Sequence, residues 1–138
     1  MRPPKADYAY SLLCEDVRTE QSGHLSLIKV IGYSLEFEGF PAVLPTLCSV
    51  VFIGNPSEQF TNIIVQFAGP RGQAIATSAI IATAISEPPP FVSQHLVKWF
   101  PVVFSEPGEY IFKWSFGEDI GITRTLTVKL KRAMGPTT

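Results

Sequence analysis

Tyr110, Phe112, Trp114 and Phe116 occupy every second position of one short segment, with Glu109, Lys113 and Ser115 on the alternate positions. Only an extended chain puts such a series on one face, because side chains alternate sides along a strand. A row of aromatic rings then needs a facing apolar layer, so the chain must build two packed layers of sheet. The segment is entered through Ser105-Glu106-Pro107-Gly108, the strongest turn signal in the chain, and left through Gly117-Glu118-Asp119. A last strand follows, with Ile120, Ile122, Leu126, Val128 and Leu130 on one face and Thr123, Thr125, Thr127 and Lys129 on the other.

The same punctuation runs through the rest of the chain, where twelve prolines and ten glycines mark many turns and few long helices. A first strand is expected over residues 7–17 and a second over 25–37, joined by a turn at Gln21-Ser22-Gly23-His24, with Gly32 permitting a bulge. The stretch from Gly39 to Pro45 cannot be a central strand, since its prolines remove ladder donors. Thr46 to Gly54 is apolar on both faces, which predicts a central, buried strand. Ile63, Val65 and Phe67 define a fourth strand, and Gly69-Pro70-Arg71-Gly72 turns the chain into a fifth over residues 73–85. The alanines of that fifth segment suit a helix. Its β-branched residues and hairpin-like start favour a strand. A sixth strand runs over residues 93–104, at an edge or bulged because of Pro101.

About eight short strands and no confident helix predict an all-β protein, a single antiparallel β-sandwich over residues 1–138 with residues 1–6 and 132–138 as loose ends. With 46% hydrophobic and 17% charged residues, a core of real size can be buried. The net charge of −1 argues against a strongly electrostatic nucleic-acid binder. The amino terminus has no secretory-type apolar stretch and no run is long enough to span a membrane, so a cytoplasmic protein is expected. Cys14 and Cys48 have no C-x-x-C spacing, and each sits in an apolar run; two buried, reduced thiols are expected.

No motif carries chemistry. Glu15, Asp16, Arg18 and His24 form the densest polar cluster, at the end of the first hairpin. Strand alternation turns Glu15 and Asp16 to opposite faces, so they do not form a carboxylate pair. Only His24 and His95 are available as histidine ligands, and no zinc or calcium spacing surrounds them. The cluster therefore reads first as a solvated strand end, and second as a ligand-binding or hydrolytic site. Nucleophile-elbow, phosphate-loop and glycosylation patterns are absent. The sequence thus points to no cofactor, no metal and no enzyme activity.

The charge pattern of the fifth segment is less ordinary. Ala74, Ala76, Ser78, Ile80, Ala82 and Ala84 share one face, and no charged residue occurs between Gly72 and Ser86. A solvent-facing strand normally carries charge. Either other segments cover this strand, or it meets a protein partner or a second copy of the chain.

Pro107-Gly108-Glu109-Tyr110-Ile111-Phe112 resembles the penultimate strand of immunoglobulin-like domains, in which a tyrosine just past the corner bonds back to the preceding loop. The cysteine–tryptophan–cysteine signature of antibody domains is missing, so the resemblance is architectural. Leu12-Leu13-Cys14-Glu15-Asp16-Val17-Arg18, followed by Gly23-His24-Leu25-Ser26-Leu27-Ile28, is similar to the N-terminal hairpin of a family of small uncharacterised bacterial proteins. That resemblance implies a bacterial or phage context and supplies no catalytic residues. The leading expectation is a non-catalytic interaction or self-assembly module. The alternatives are a ligand-binding or hydrolytic protein using the hairpin end, and an accessory structural domain of a phage or cell-surface assembly.

Overall fold

Among the described residues eleven strands form in chain order: β1 (Tyr8–Thr19), β2 (Leu25–Ile31), β3 (Ser34–Phe37), β4 (Ala42–Leu44), β5 (Leu47–Gly54), β6 (Asn62–Ala68), β7 (Ala74–Ile81), β8 (Val92–Trp99), β9 (Val102–Phe104), β10 (Gly108–Gly117) and β11 (Ile120–Leu130). The computed structural model describes residues 1–58, 60, 62–81, 90–117 and 119–132, the side chain of Ile81 excepted. The described residues contain no helix, and so none long and apolar enough to cross a membrane.

Two sheets pack face to face. One has the order β2-β1-β5-β8, the other β3-β11-β10-β6-β7, and β4 with β9 makes a separate two-stranded ribbon. The expected count of eight strands is corrected to eleven for three local reasons. The second expected strand breaks at Gly32 and Tyr33, and its halves join different sheets as β2 and β3. The proline-flanked Ala42–Leu44 does form a strand, but a short one that pairs only with β9 and so never needs the missing donors of a central strand. The sixth expected strand breaks at Phe100 and Pro101 into β8 and β9. The pairing is also not wholly antiparallel, since β3 runs parallel beside β11 from Ser34 opposite Thr127 to Phe37 opposite Leu130.

The core follows from the alternation. Tyr110, Phe112, Trp114 and Phe116 of β10 and Leu126 and Val128 of β11 are all buried, as expected. Phe67 of β6 stacks on Phe112 with ring centroids 4.3 Å apart, and Phe104 meets Tyr110 edge-on at 5.0 Å. Leu13, Leu47 and Leu126 complete this half. Val51, Ile53, Ile63, Val65 and Val97 surround Trp114 and Phe116 in the other half. The Trp114 indole N–H donates to Ser49 Oγ at 2.8 Å, which satisfies the polar handle of the largest buried ring.

The amino-terminal residues are tied to the sheets by backbone hydrogen bonds. Arg2 pairs with Ile120 as an isolated parallel bridge, and its N–H donates to the Asp119 carbonyl at 2.8 Å. Ser57 N–H donates to the Lys5 carbonyl at 2.9 Å and Asp7 N–H to the Gly54 carbonyl at 2.8 Å. At the other end Lys131 N–H reaches the Phe37 carbonyl, while residues 133–138 lie outside the described residues.

Candidate functional site

The polar hairpin end is built by a break in alternation. Cys14 pairs with Val30 and Asp16 with Ile28, but the ladder skips Glu15 and Lys29, where Lys29 takes φ +54°. Beyond this point the β1–β2 hairpin folds back over the outer face of the β2-β1-β5-β8 sheet. Two contacts fix that course. Asp16 Oδ1 accepts from Lys98 Nζ at 2.7 Å, and at the hairpin tip the Gly23 carbonyl accepts from Gln94 Nε2 at 3.0 Å. Lys98 and Gln94 lie on β8, opposite Cys48 and Phe52 of β5. The reversed hairpin, residues 16–28, is thus an arm lying along the sheet, with Val17, Leu25 and Leu27 packed on Cys14, Cys48 and Val50.

The arm explains why β5 is apolar on both faces. Val51 and Ile53 look into the sandwich, while Cys48 and Val50 lie under the arm. Both cysteines are free and buried, as expected.

The four polar residues expected at the hairpin end do not converge. Glu15 pairs with Lys29 at 3.4 Å and Asp16 with Lys98. His24 Nδ1 meets Ser22 Oγ at 2.8 Å on the exposed turn. Arg18 is exposed and makes no ion pair among the described residues. Glu15, Asp16, Ile28, Lys29, Pro45 and Thr46 line an open cleft of about 250 Å³ at the bend of the arm. Each carboxylate there already has its own lysine. The Lys98 ammonium and the Val17 amide hold the Asp16 carboxyl below the usual range. Among the described residues no three histidine, cysteine or acidic side chains gather as metal ligands. His95 faces the interior, opposite Val51, with Nε2 at 2.8 Å from Ser93 Oγ.

The second candidate surface is β7. It ends its sheet, paired with β6 on one side and with no strand on the other among the described residues. Ala76 lies opposite Phe67, Ser78 opposite Val65 and Ile80 opposite Ile63. These three are half-buried, and Ala76 and Ile80 pack on the core. The face expected to be covered within the chain or by a partner is thus covered within the chain as far as Ile80. The physical reason for its small residues is local: Phe67, Phe112 and Trp99 already fill the space inside. Ala74 is exposed, and Ala82 and Ala84 lie outside the described residues. The outward face is Ile75, Thr77 and Ala79. The turn before β7 is docked on the β9–β10 corner, where Arg71 Nε bonds Glu106 Oε1 at 3.0 Å.

Sequence reasoning missed Lys98 and Gln94, because nothing in a strand pattern says that a hairpin will reverse across its own sheet. One signal was present: Leu25 and Leu27 lie across from Thr19 and Val17 on a hairpin otherwise rich in polar groups.

The chain belongs to DUF6941, a family of unknown function, whose model matches residues 9–129. No curated protein matches the chain. Among solved structures, a β-glucosidase from Listeria innocua in complex with isofagomine overlaps it at a TM-score of 0.41 and 11% identity, over 88% of this chain. The chain spans 16% of that enzyme's length.

Proposed function

We propose that this protein is a non-catalytic interaction module that self-assembles by pairing the open edge of β7 with β7 of a second copy. The observation that carries the reading is an edge that no strand guards among the described residues. A terminal strand normally protects its free backbone groups with charge, proline or a covering loop. β7 carries no charged residue and no proline, and its neighbour β6 occupies only one side. The outward side chains Ile75, Thr77 and Ala79 are small or apolar, which suits close approach of a second sheet. Two-fold antiparallel pairing of identical edges needs no other gene product.

We read the sandwich as immunoglobulin-like. The support is the Tyr110 bond to the preceding corner, the β10–β11 hairpin and the parallel β3–β11 pair. A reducing, cytoplasmic setting is supported by the two free thiols.

Light scattering across a concentration series tests the assembly. The wild type is expected to dimerise, and Thr77→Lys with Ala79→Lys to remain monomeric with an unchanged circular dichroism spectrum, since two-fold pairing would bring like charges together. A wild type monomeric at every concentration refutes self-assembly. If a different protein binds and the double variant abolishes that binding, the occupant of the edge is a heterologous strand instead.

A further inference from the structure

Cys14 of β1 and Cys48 of β5 are direct cross-strand partners. Opposed residues of an antiparallel pair have α-carbons about 4.5–5.5 Å apart, within the roughly 4.4–6.8 Å that a disulfide spans. Both thiols are free, fully buried and gathered with Val50 on the outer face of the sheet. Joining them needs no rearrangement of β1 against β5. It needs only an oxidant at the pair. Val17, Leu25 and Leu27 of the arm pack against the cluster, together with Phe52 of β5 and Leu96 of β8 on the sheet itself. The arm is latched by polar contacts at its two ends, Asp16 to Lys98 and the Gly23 carbonyl to Gln94. Both are exposed, and exposed latches of this kind hold weakly.

We propose that Cys14 and Cys48 form a reversible redox site, oxidised to an intramolecular disulfide by a small-molecule disulfide of the glutathione class, with the arm of residues 16–28 controlling access. Opening the arm does two things at once. It exposes the pair, and it frees Lys98 from Asp16.

The freed ammonium selects the attacking sulfur. Burial pushes the Cys14 thiol up to about 11, and the neighbouring Cys48 adds to that rise. Burial raises Cys48 as well, but there the Lys98 charge opposes it. With the arm displaced, Cys48 loses its proton to water, and its thiolate attacks one sulfur of the oxidant and expels one glutathione thiolate. Cys14 then loses its proton to water and attacks the Cys48 sulfur, expelling the second glutathione thiolate. Two protein thiols are oxidised, one external disulfide is reduced to two thiols, and the electrons balance.

The experiment treats the full-length protein with oxidised glutathione, quenches with an alkylating agent and maps the cysteines by non-reducing mass spectrometry. The expected wild-type product is a monomer lighter by two hydrogen atoms, with Cys14 and Cys48 in one cross-linked peptide pair that dithiothreitol separates. Asp16→Asn unlatches the arm and keeps Lys98, so it is expected to oxidise several-fold faster. Lys98→Met unlatches the arm without the cation, and is expected to oxidise more slowly than Asp16→Asn. Gln94→Ala releases the tip alone and supplies an independent unlatched variant if Asp16→Asn fails to fold. In Cys14→Ser a glutathione adduct should accumulate on Cys48. Retention of both thiols in the folded wild type and in all three unlatched variants, while denatured protein is oxidised, would overturn the proposal. Disulfides between molecules, or a glutathione adduct that never resolves in the wild type, would overturn it too.

Discussion

The hydroxyl of Tyr110 donates a 2.7 Å hydrogen bond to the carbonyl of Glu106, four residues back along the chain. The ring itself is 1% exposed and meets Phe67 and Phe104 inside the sandwich. Between the two residues Gly108 adopts φ +145°, and a β-carbon there would meet Pro70 at 2.6 Å. The corner is therefore closed from three sides: the tyrosine below, Pro70 against the glycine, and Arg71 on the Glu106 carboxylate.

Tyr110→Phe keeps the ring and deletes only the donor. It is expected to cost about 0.5–1.5 kcal/mol in a urea melt, with an unchanged slope. Gly108→Ala adds both strain and a contact with Pro70, so it is expected to cost more than Tyr110→Phe in the same melt. A smaller loss for Gly108→Ala would show that the corner relaxes freely.

Trp114 and Ser49 join the two sheets through the core. Trp114→Ala removes the largest fully buried side chain, and a loss of about 3–5 kcal/mol is expected from transfer and cavity terms together. Ser49→Ala leaves the buried indole N–H with no acceptor, for an expected loss of about 1–3 kcal/mol. Because the two share one bond, the double variant Trp114→Ala, Ser49→Ala should lose less than the sum of the singles, as a double-mutant cycle in urea would read.

Where alternation runs unbroken, the residues foretold the structure. The inward faces of β10 and β11 follow directly from the spacing of Tyr110, Phe112, Trp114, Leu126 and Val128. The buried strand at residues 47–54 followed from its two apolar faces, though not what covers them. Partition between sheets was not legible, because local spacing carries no information about which neighbour a strand will find. β2 and β3 read as one strand for that reason, and the chain changes sheet at Gly32 and Tyr33 without any proline to mark it. The hairpin end shows the same limit of local spacing. Glu15, Asp16, Arg18 and His24 lie within ten residues of one another, yet the partners of three come from β2, β8 and the turn, and Arg18 has no ion pair among the described residues. The strand pattern separated Glu15 from Asp16 but did not foresee a lysine for each.

His95 supplies a pH dependence. Burial in the sandwich lowers its pKa from the ordinary 6.5, and its neutral ring lies beside Ser93 Oγ. A base whose folded pKa is depressed binds protons less readily in the folded than in the unfolded chain. Its contribution is therefore complete above the ordinary histidine value and is lost as pH falls below it. Urea midpoints measured at about pH 7.5 and about pH 5 should drop for the wild type. His95→Phe removes the titrating group and should show a smaller drop. An equal drop in both would assign the acid sensitivity to other groups.

Arg2 and Glu58 form the amino-terminal tether. The Arg2 guanidinium contacts both Glu58 oxygens, and the Lys5 amide donates to Oε2 at 2.9 Å. The Arg2 bond first, and then the Lys5 amide, hold the Glu58 carboxyl at about 2, well below its ordinary 4.5. A carboxyl depressed by folding contributes stability that is complete above its unfolded pKa and fades as pH falls through the folded one. The tether should thus stay ionised and closed through mild acid and open only near pH 2. Arg2→Ala removes the main cause, so an NMR titration should find the Glu58 carboxyl moved up toward its ordinary value. The same variant should speed hydrogen exchange at the Gly121 amide, which donates to the Arg2 carbonyl at 2.9 Å. The core would be untouched, since Arg2 and Glu58 are not part of it, and the exchange of Trp114 and Tyr110 amides should stay as in the wild type. A Glu58 carboxyl that titrates at its ordinary value in the wild type would show that residues 1–6 are not held in solution.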